Sequence, residues 1–207
     1  QGPGYLDVAD PLNKVIFKSF YGREHPSGPG YRIPEMFGAA QNGDLRAMWI
    51  MGEDLLQTDP NTCHVKNALE NLEFLVVQEL FMTDTARIAD VVFPASSFFE
   101  KEGTFTNAER RIQKVQRVVE PLPGTRPDGR IVVEMMNAMG YPEKEYSPES
   151  ILGEISGIVP FFKGVRWDNL GENGKQWPVR EDGSDTKILH IDSFKRGRGK
   201  FHAWAFE

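Results

Sequence analysis

Cysteine is almost absent from these 207 residues, with Cys63 standing alone. One thiol cannot close an internal disulfide or build a zinc or iron–sulfur site. Histidine is nearly as sparse. His25, His64, His190 and His202 lie far apart without HExxH or His-x-x-x-His spacing, and Cys63 and His64 are adjacent rather than paired across a turn, so no metal site is expected. Redox metal chemistry, if the chain takes part in any, would have to be borrowed. No apolar run approaches the roughly 20 residues that cross a bilayer, and none resembles a signal peptide. Membrane insertion is therefore not expected. A cytoplasmic location is, with any export signal lying outside these residues. Positive charge is not in excess either: 24 Lys and Arg against 30 Asp and Glu give a net charge of −6. That balance argues against bulk nucleic-acid binding but leaves room for one anionic ligand in a local basic pocket. Walker A, GxGxxG and GxSxG motifs are missing, and Gly197-Arg198-Gly199 is too short to stand in for one. Spacing alone shows no catalytic centre. The chain opens on Gln1 rather than methionine, which suggests a processed product or an excised piece of something longer.

What is present is the make-up of a folded globular chain, 40% hydrophobic and 26% charged. Residues 1–33 are crowded with turn formers such as Gly2-Pro3-Gly4 and Gly28-Pro29-Gly30, and read as a lead-in segment with one short helix near residues 13–20. From Pro34 a short helix is expected, stopped near Asn42-Gly43. Ala47-Met48-Trp49-Ile50-Met51 is a continuous apolar run of the kind expected of a strand buried on both faces, and it breaks at Gly52-Glu53-Asp54. Asp59 or Thr62 should cap the next helix, whose apolar residues Val65, Ala68, Leu69 and Leu72 fall at i, i+3, i+4 and i+7. Phe74-Leu75-Val76-Val77 is a second strand ending in Gln78-Glu79. A short helix starts near Thr83, and Val91-Val92-Phe93 is a third strand stopped by Pro94. This alternation predicts an α/β fold over residues 34–159: a Rossmann-like, three-layer parallel sheet with flanking helices and right-handed crossovers. Ligands of such sheets gather beyond the carboxyl ends of the strands, here Gly52, Gln78 and Pro94.

Past Pro94, short extended pieces mixed with charge lead to a helix start at Thr125-Arg126-Pro127-Asp128. Thr125 is the expected cap and Gly140 the stop. A further helix begins at Ser147-Pro148. Residues 160–207, rich in Gly, Trp and charge, read as a mainly irregular connector toward a missing C-terminal domain. Residues 187–191 and 201–206 could be strands, and the stretch lacks a convincing core of its own.

Polar groups collect at the strand ends. Gly52 lets backbone approach a ligand closely, while Glu53, Asp54 and Glu79 offer carboxylate acceptors. One carboxylate can accept both N1–H and the N2 amino group of a guanine. Thr83 at a helix start, Lys101 and nearby backbone N–H groups could hold phosphates. Each has a plainer reading: Glu53 or Asp54 caps a turn, Asp128 is a first-turn helix acid, and Lys101 sits in a solvated Glu-Lys-Glu run. Arg110, Arg111, Lys114 and Arg117 likewise read as a solvated edge before an anion-binding face.

Taken together, Met51-Gly52-Glu53-Asp54-Leu55-Leu56-Gln57-Thr58-Asp59-Pro60, Val77-Gln78-Glu79-Leu80-Phe81-Met82-Thr83-Asp84-Thr85-Ala86, Ala89-Asp90-Val91-Val92-Phe93-Pro94-Ala95 and Glu100-Lys101-Glu102-Gly103-Thr104-Phe105-Thr106-Asn107-Ala108-Glu109-Arg110-Arg111 resemble consecutive signatures of the molybdopterin oxidoreductase family. The likeness is nearest to the catalytic subunit of formate dehydrogenase and runs on through Arg126-Pro127-Asp128 and Gln176-Trp177-Pro178, covering nearly the whole chain. It implies one part of a much larger subunit, from the second half of its third domain. The family's four-cysteine iron–sulfur motif, the Cys or selenocysteine on the metal and the His-Arg pair beside it are not among these residues, so the piece alone is expected to be inactive. The resemblance implies a bis-molybdopterin guanine dinucleotide cofactor with molybdenum or tungsten, and an iron–sulfur cluster held elsewhere. The implied partners are the remaining domains of the subunit and electron-transfer subunits. Carried over residue by residue, the family's strand-end turn matches Gly52, Glu53 and Asp54. Its second strand-end pair matches Gln78 and Glu79, its lysine Lys101, and its Pro-Asp helix start Asp128. Two positions depart from the pattern: the family commonly has Asp where Glu79 stands and an aromatic residue where Gly129 stands. The alternative is a non-catalytic scaffold domain like that of the large subunit of respiratory NADH:quinone oxidoreductase, and a nitrate reductase-like relative ranks below it.

Overall fold

Capping and apolar periodicity set the elements of the computed structural model, which describes residues 2, 4, 6–25, 28–143, 145–191, 193–194 and 197–204. Helix α1 (Pro11–Tyr21) starts where the Asp10 carboxylate accepts from the Leu12 N–H at 2.8 Å, with Pro11 at a position that needs no donor. In front of α2 (Ile33–Gln41), Glu35 accepts from the Arg32 N–H at 2.8 Å. Strand β1 (Ala47–Met51) leads through the Gly52 turn into a one-turn helix, α3 (Leu55–Thr58), that the sequence pattern did not reveal. Neither Asp59 nor Thr62 caps α4 (Thr62–Glu70). Asn61 does, accepting from the His64 N–H at 3.3 Å, while Asp59 accepts from the N–H of Asn61 itself.

Strands β2 (Phe74–Glu79) and β3 (Val91–Pro94) flank the short helix α5 (Asp84–Arg87). The sheet is parallel, as expected, in the order β1-β2-β3, with Trp49 opposite Val76, Val76 opposite Val91 and Gln78 opposite Phe93. One face carries the main core: Ile50, Leu75 and Val77 pack with Phe37 and Ala40 of α2, with Val65, Ala68 and Leu69 of α4, and with Ala86 of α5. The other face differs from expectation. Trp49 and Met51 remain 37% and 48% exposed, so β1 is buried on one side only. The Trp49 and Phe93 rings lie 5.9 Å apart, reaching across the strand between them. On the same face Val76 and Gln78 of β2 are buried, so within the described residues that face is covered over β2 and open over β1.

Strands β4 (Gly103–Thr106) and β5 (Arg111–Val115) form an antiparallel hairpin, joined at its edge by β6 (Lys175–Gln176). Helix α6 (Asp128–Ala138) starts after Pro127 without a side-chain cap. The Thr125 hydroxyl, expected there, instead donates to the Leu122 carbonyl at 2.8 Å. Helix α7 (Pro148–Ile158) is capped by Ser147 as the sequence suggests. The stretch after Pro160 does take part in a core: Val165, Leu170 and Val179 pack with Ile112 of β5 and Leu152 of α7. Its order comes from loops rather than periodic elements, which is why apolar spacing missed it. Residues 187–191 and 201–204 contain no strand, and 205–206 lie outside the described residues. No described helix is long and apolar enough to cross a membrane.

Candidate cofactor-binding site

The turn after β1 is held to the next strand by the Gly52 N–H, which donates to the Gln78 carbonyl at 2.9 Å. Gly52 sits at φ 64 with open space where a side chain would begin. Only glycine takes that backbone shape without strain, and the turn is left bare for close approach. Asp54 faces inward. Its Oδ1 accepts from the Thr85 hydroxyl at 2.6 Å and from the Thr85 N–H at 3.1 Å, and the same hydroxyl accepts from the Leu56 N–H at 3.1 Å. Glu53 accepts from the Thr58 hydroxyl at 2.5 Å, Glu79 from the neighbouring Leu80 N–H at 2.6 Å, and the Thr83 hydroxyl from the Ala86 N–H at 3.2 Å. These contacts fix the turns at the strand ends, and in the case of Thr83 cap α5.

Three residues far apart in sequence do converge. Gln78, fully buried at the end of β2, donates from Nε2 to Asp128 Oδ1 at 2.8 Å, and Lys101 Nζ donates to Asp128 Oδ2. Two anchors bring them together. The residues before α6 are tied to the end of β3: Arg126 N–H donates to the Pro94 carbonyl at 3.1 Å and Ser96 N–H to the Arg126 carbonyl at 2.9 Å. The loop bearing Lys101 is closed by Glu100, whose carboxylate accepts from the N–H groups of Ser97 at 2.7 Å and Leu122 at 2.8 Å. Those backbone bonds hold the Glu100 carboxyl below its ordinary range. Burial alone would push Asp128 upward, but hydrogen bonds from Lys101 and Gln78 outweigh it, and its pKa lies below the ordinary value. The Gln78 amide oxygen and the Ser96 hydroxyl are buried without a partner among the described residues. An acceptor left in that state calls for a donor from elsewhere.

Because the folded-state pKa of Asp128 is depressed, its contribution to stability is complete above the unfolded value of roughly 3.9 and disappears as pH falls through the folded value. Acid titration of stability should therefore be less steep below about pH 4 in Asp128→Asn than in the parent chain. Equal slopes by urea unfolding across that range would remove the assignment.

Two hollows of about 320 and 430 Å³ meet at Lys101. The first is walled by Asp128, Tyr146 and the apolar Ile151, Leu152 and Ile155. Arg117, Arg126 and Arg130 border the second. Arg126 and Arg130 share the single carboxylate of Glu134, at 3.2 and 2.8 Å, which offsets part of their positive charge. Tyr146 takes the space that a side chain at 129 would need: a Cβ on Gly129 would lie 2.5 Å from its ring. Burial, then the nearby charges of Asp128 and Glu102, raise the tyrosine pKa. Sequence reasoning gave no role to Thr85 or Tyr146. The four-residue spacing of Arg126 and Arg130 around a helix start was a signal that could have been read. Among the described residues, no group of three or more His, Cys, Asp or Glu could hold a metal ion.

The fold and the strand-end cluster define an α/β chain with a polar site at the carboxyl edge of a parallel sheet. The sequence profile of the molybdopterin oxidoreductase family matches residues 12–138, and the chain belongs to that family. It is 41% identical over its whole length to the "putative formate dehydrogenase" of Staphylococcus haemolyticus, of which it covers 21%, and 41% identical over 96% of its length to the "probable oxidoreductase YjgC" of Bacillus subtilis, of which it covers 20%. The chain thus spans about a fifth of the length of these relatives. Acetylene hydratase from Pelobacter acetylenicus shares the fold, with a TM-score of 0.57 and 21% identity over 83% of this chain and 25% of its own.

Proposed function

We propose that the chain is the part of a molybdenum- or tungsten-dependent formate dehydrogenase-like oxidoreductase that holds one pterin guanine dinucleotide of the cofactor. The whole polypeptide would oxidise formate to carbon dioxide, passing electrons through iron–sulfur centres in its other domains to electron-transfer subunits. The observation that carries this reading is the convergence of Gln78, Lys101 and Asp128 at the ends of β2 and α6. Family membership calls for a molybdopterin cofactor, and the donor set fits the guanine dinucleotide form. Asp128 is a carboxylate acceptor suited to the paired guanine donors, and Lys101 is a cation for phosphate. The Gln78 oxygen is a buried acceptor without a donor, and the Gly52 turn admits close backbone contact. When bound, the cofactor supplies the metal centre for two-electron chemistry, and these residues bind and orient it. None of the relatives named above is a respiratory NADH:quinone oxidoreductase subunit, and no feature of the site favours a scaffold role.

Calorimetric titration with guanosine diphosphate tests the reading. Binding by the parent chain is expected, with Lys101→Ala weakening it about 10- to 100-fold, the equivalent of one charge-assisted hydrogen bond. Circular dichroism separates lost affinity from lost fold. A folded parent chain that binds no guanine nucleotide would overturn autonomous recognition.

A further inference from the structure

Tyr146 is held in place by the start of α7. It precedes Ser147, whose hydroxyl accepts from the Ser150 N–H at 3.2 Å and whose carbonyl accepts from the Ile151 N–H at 3.0 Å. Tyr146 and Ile151 therefore occupy the two positions whose side chains clamp the entry to a helix, and both line the hollow of about 320 Å³. The ring stands against Gly129, where the missing side chain leaves it room. It also lines the second hollow, so it stands with Lys101 where the two meet.

Packing alone does not call for a tyrosine here. The residue is only half-buried, and its hydroxyl has no hydrogen-bond partner among the described residues, although a buried phenol usually finds one. Burial and the carboxylates of Asp128 and Glu102 raise its pKa, which keeps the ring uncharged and fit for an apolar contact. The rest of the lining suits a flat ring with polar edges. Phe105, Leu152 and Ile155 supply apolar surface, while Asp128 and Lys101 supply an acceptor and a donor. A volume of about 320 Å³ lies at the small end of the range for small-molecule sites, where a nucleobase belongs.

We infer that Tyr146 is a base-binding residue of the nucleotide site: its ring is the wall on which the purine packs, inside the hollow it shares with Asp128 and Lys101. The inference rests on the guanine dinucleotide reading and deepens it, with the base in the apolar hollow, Lys101 at the junction and the phosphates toward Arg117, Arg126 and Arg130. Stacking on an aromatic ring accepts any flat base, so Tyr146 supplies affinity and the Asp128 carboxylate selects guanine.

Calorimetric titration with guanosine diphosphate tests it on two variants of the 207-residue chain, with circular dichroism as the check on folding. Tyr146→Phe keeps the ring and should bind as tightly as the parent. Tyr146→Leu is apolar but has no ring, and should bind about 5- to 100-fold more weakly, the range for loss of one base–aromatic stack. A second measurement needs no folded leucine variant. In the parent chain the ring protons of Tyr146, identified by their loss in Tyr146→Phe, should shift upfield on addition of guanosine diphosphate and not on addition of inorganic pyrophosphate. A leucine variant that binds like the parent, a phenylalanine variant as weak as a folded leucine one, or Tyr146 protons unmoved in a chain that binds the nucleotide would each overturn the inference and leave the cofactor reading standing. A parent chain that binds no guanine nucleotide would overturn both.

Discussion

Gly164→Ala is expected to cost about 3 kcal/mol or more of folding stability. Gly164 is buried where two loops cross, and a Cβ there would overlap the carbonyl oxygen of Arg180. Rigid backbone, not a movable side chain, is the obstacle, so relief requires the loops to separate. They are held by the Gly164 N–H donating to the Val179 carbonyl at 3.2 Å and by the Val179 N–H donating to the Phe161 carbonyl at 2.8 Å. Separation would pull Val165 and Val179 away from Ile112 and Leu152. Urea denaturation should show a lowered midpoint, and hydrogen exchange should rise first in β5 and α7 rather than in β2. A midpoint within error of the parent chain would mean that the loops do not pack as described.

Thr85→Val comes next, with an expected loss of about 2–4 kcal/mol. Valine keeps the shape of threonine but has no hydroxyl, so the Asp54 carboxylate loses its 2.6 Å donor and the Leu56 N–H loses its 3.1 Å acceptor. Thr85 has no solvent exposure, and water cannot readily replace either bond. The damage should centre on the Gly52 turn, and guanine nucleotide affinity should fall with stability. Thr85→Ser keeps both bonds and should recover most of the loss. A valine variant that melts with the parent chain would mean that the hydroxyl does not hold the turn.

The three strands, their parallel arrangement and the helices between them were legible because apolar runs and 3.6-residue spacing report burial directly. Burial on both faces of β1 was not, since Trp49 and Met51 are equally apolar whether they meet a helix or solvent. Caps were read less well: Asn61 and Asp59 are chemically near-equivalent, and only the direction of the chain decides between them. The second core escaped because Val165, Leu170 and Val179 are spaced by loops. For the site, family resemblance named Gln78, Lys101 and Asp128, and the structure adds that they touch one another. It also gives Asp54, Glu53, Glu79 and Thr83 local partners that spacing could not show.

Tyr146 and Gly129 share one volume beside Asp128. An aromatic ring in that wall can be supplied from the first turn of α6 or from the loop before α7, but not from both at once. A side chain at position 129 would push the Tyr146 ring aside and so reshape the hollow against Ile151, Leu152 and Ile155. The size of this hollow therefore depends on the Gly129–Tyr146 pair, while the Gln78–Asp128–Lys101 contacts are made by other side chains.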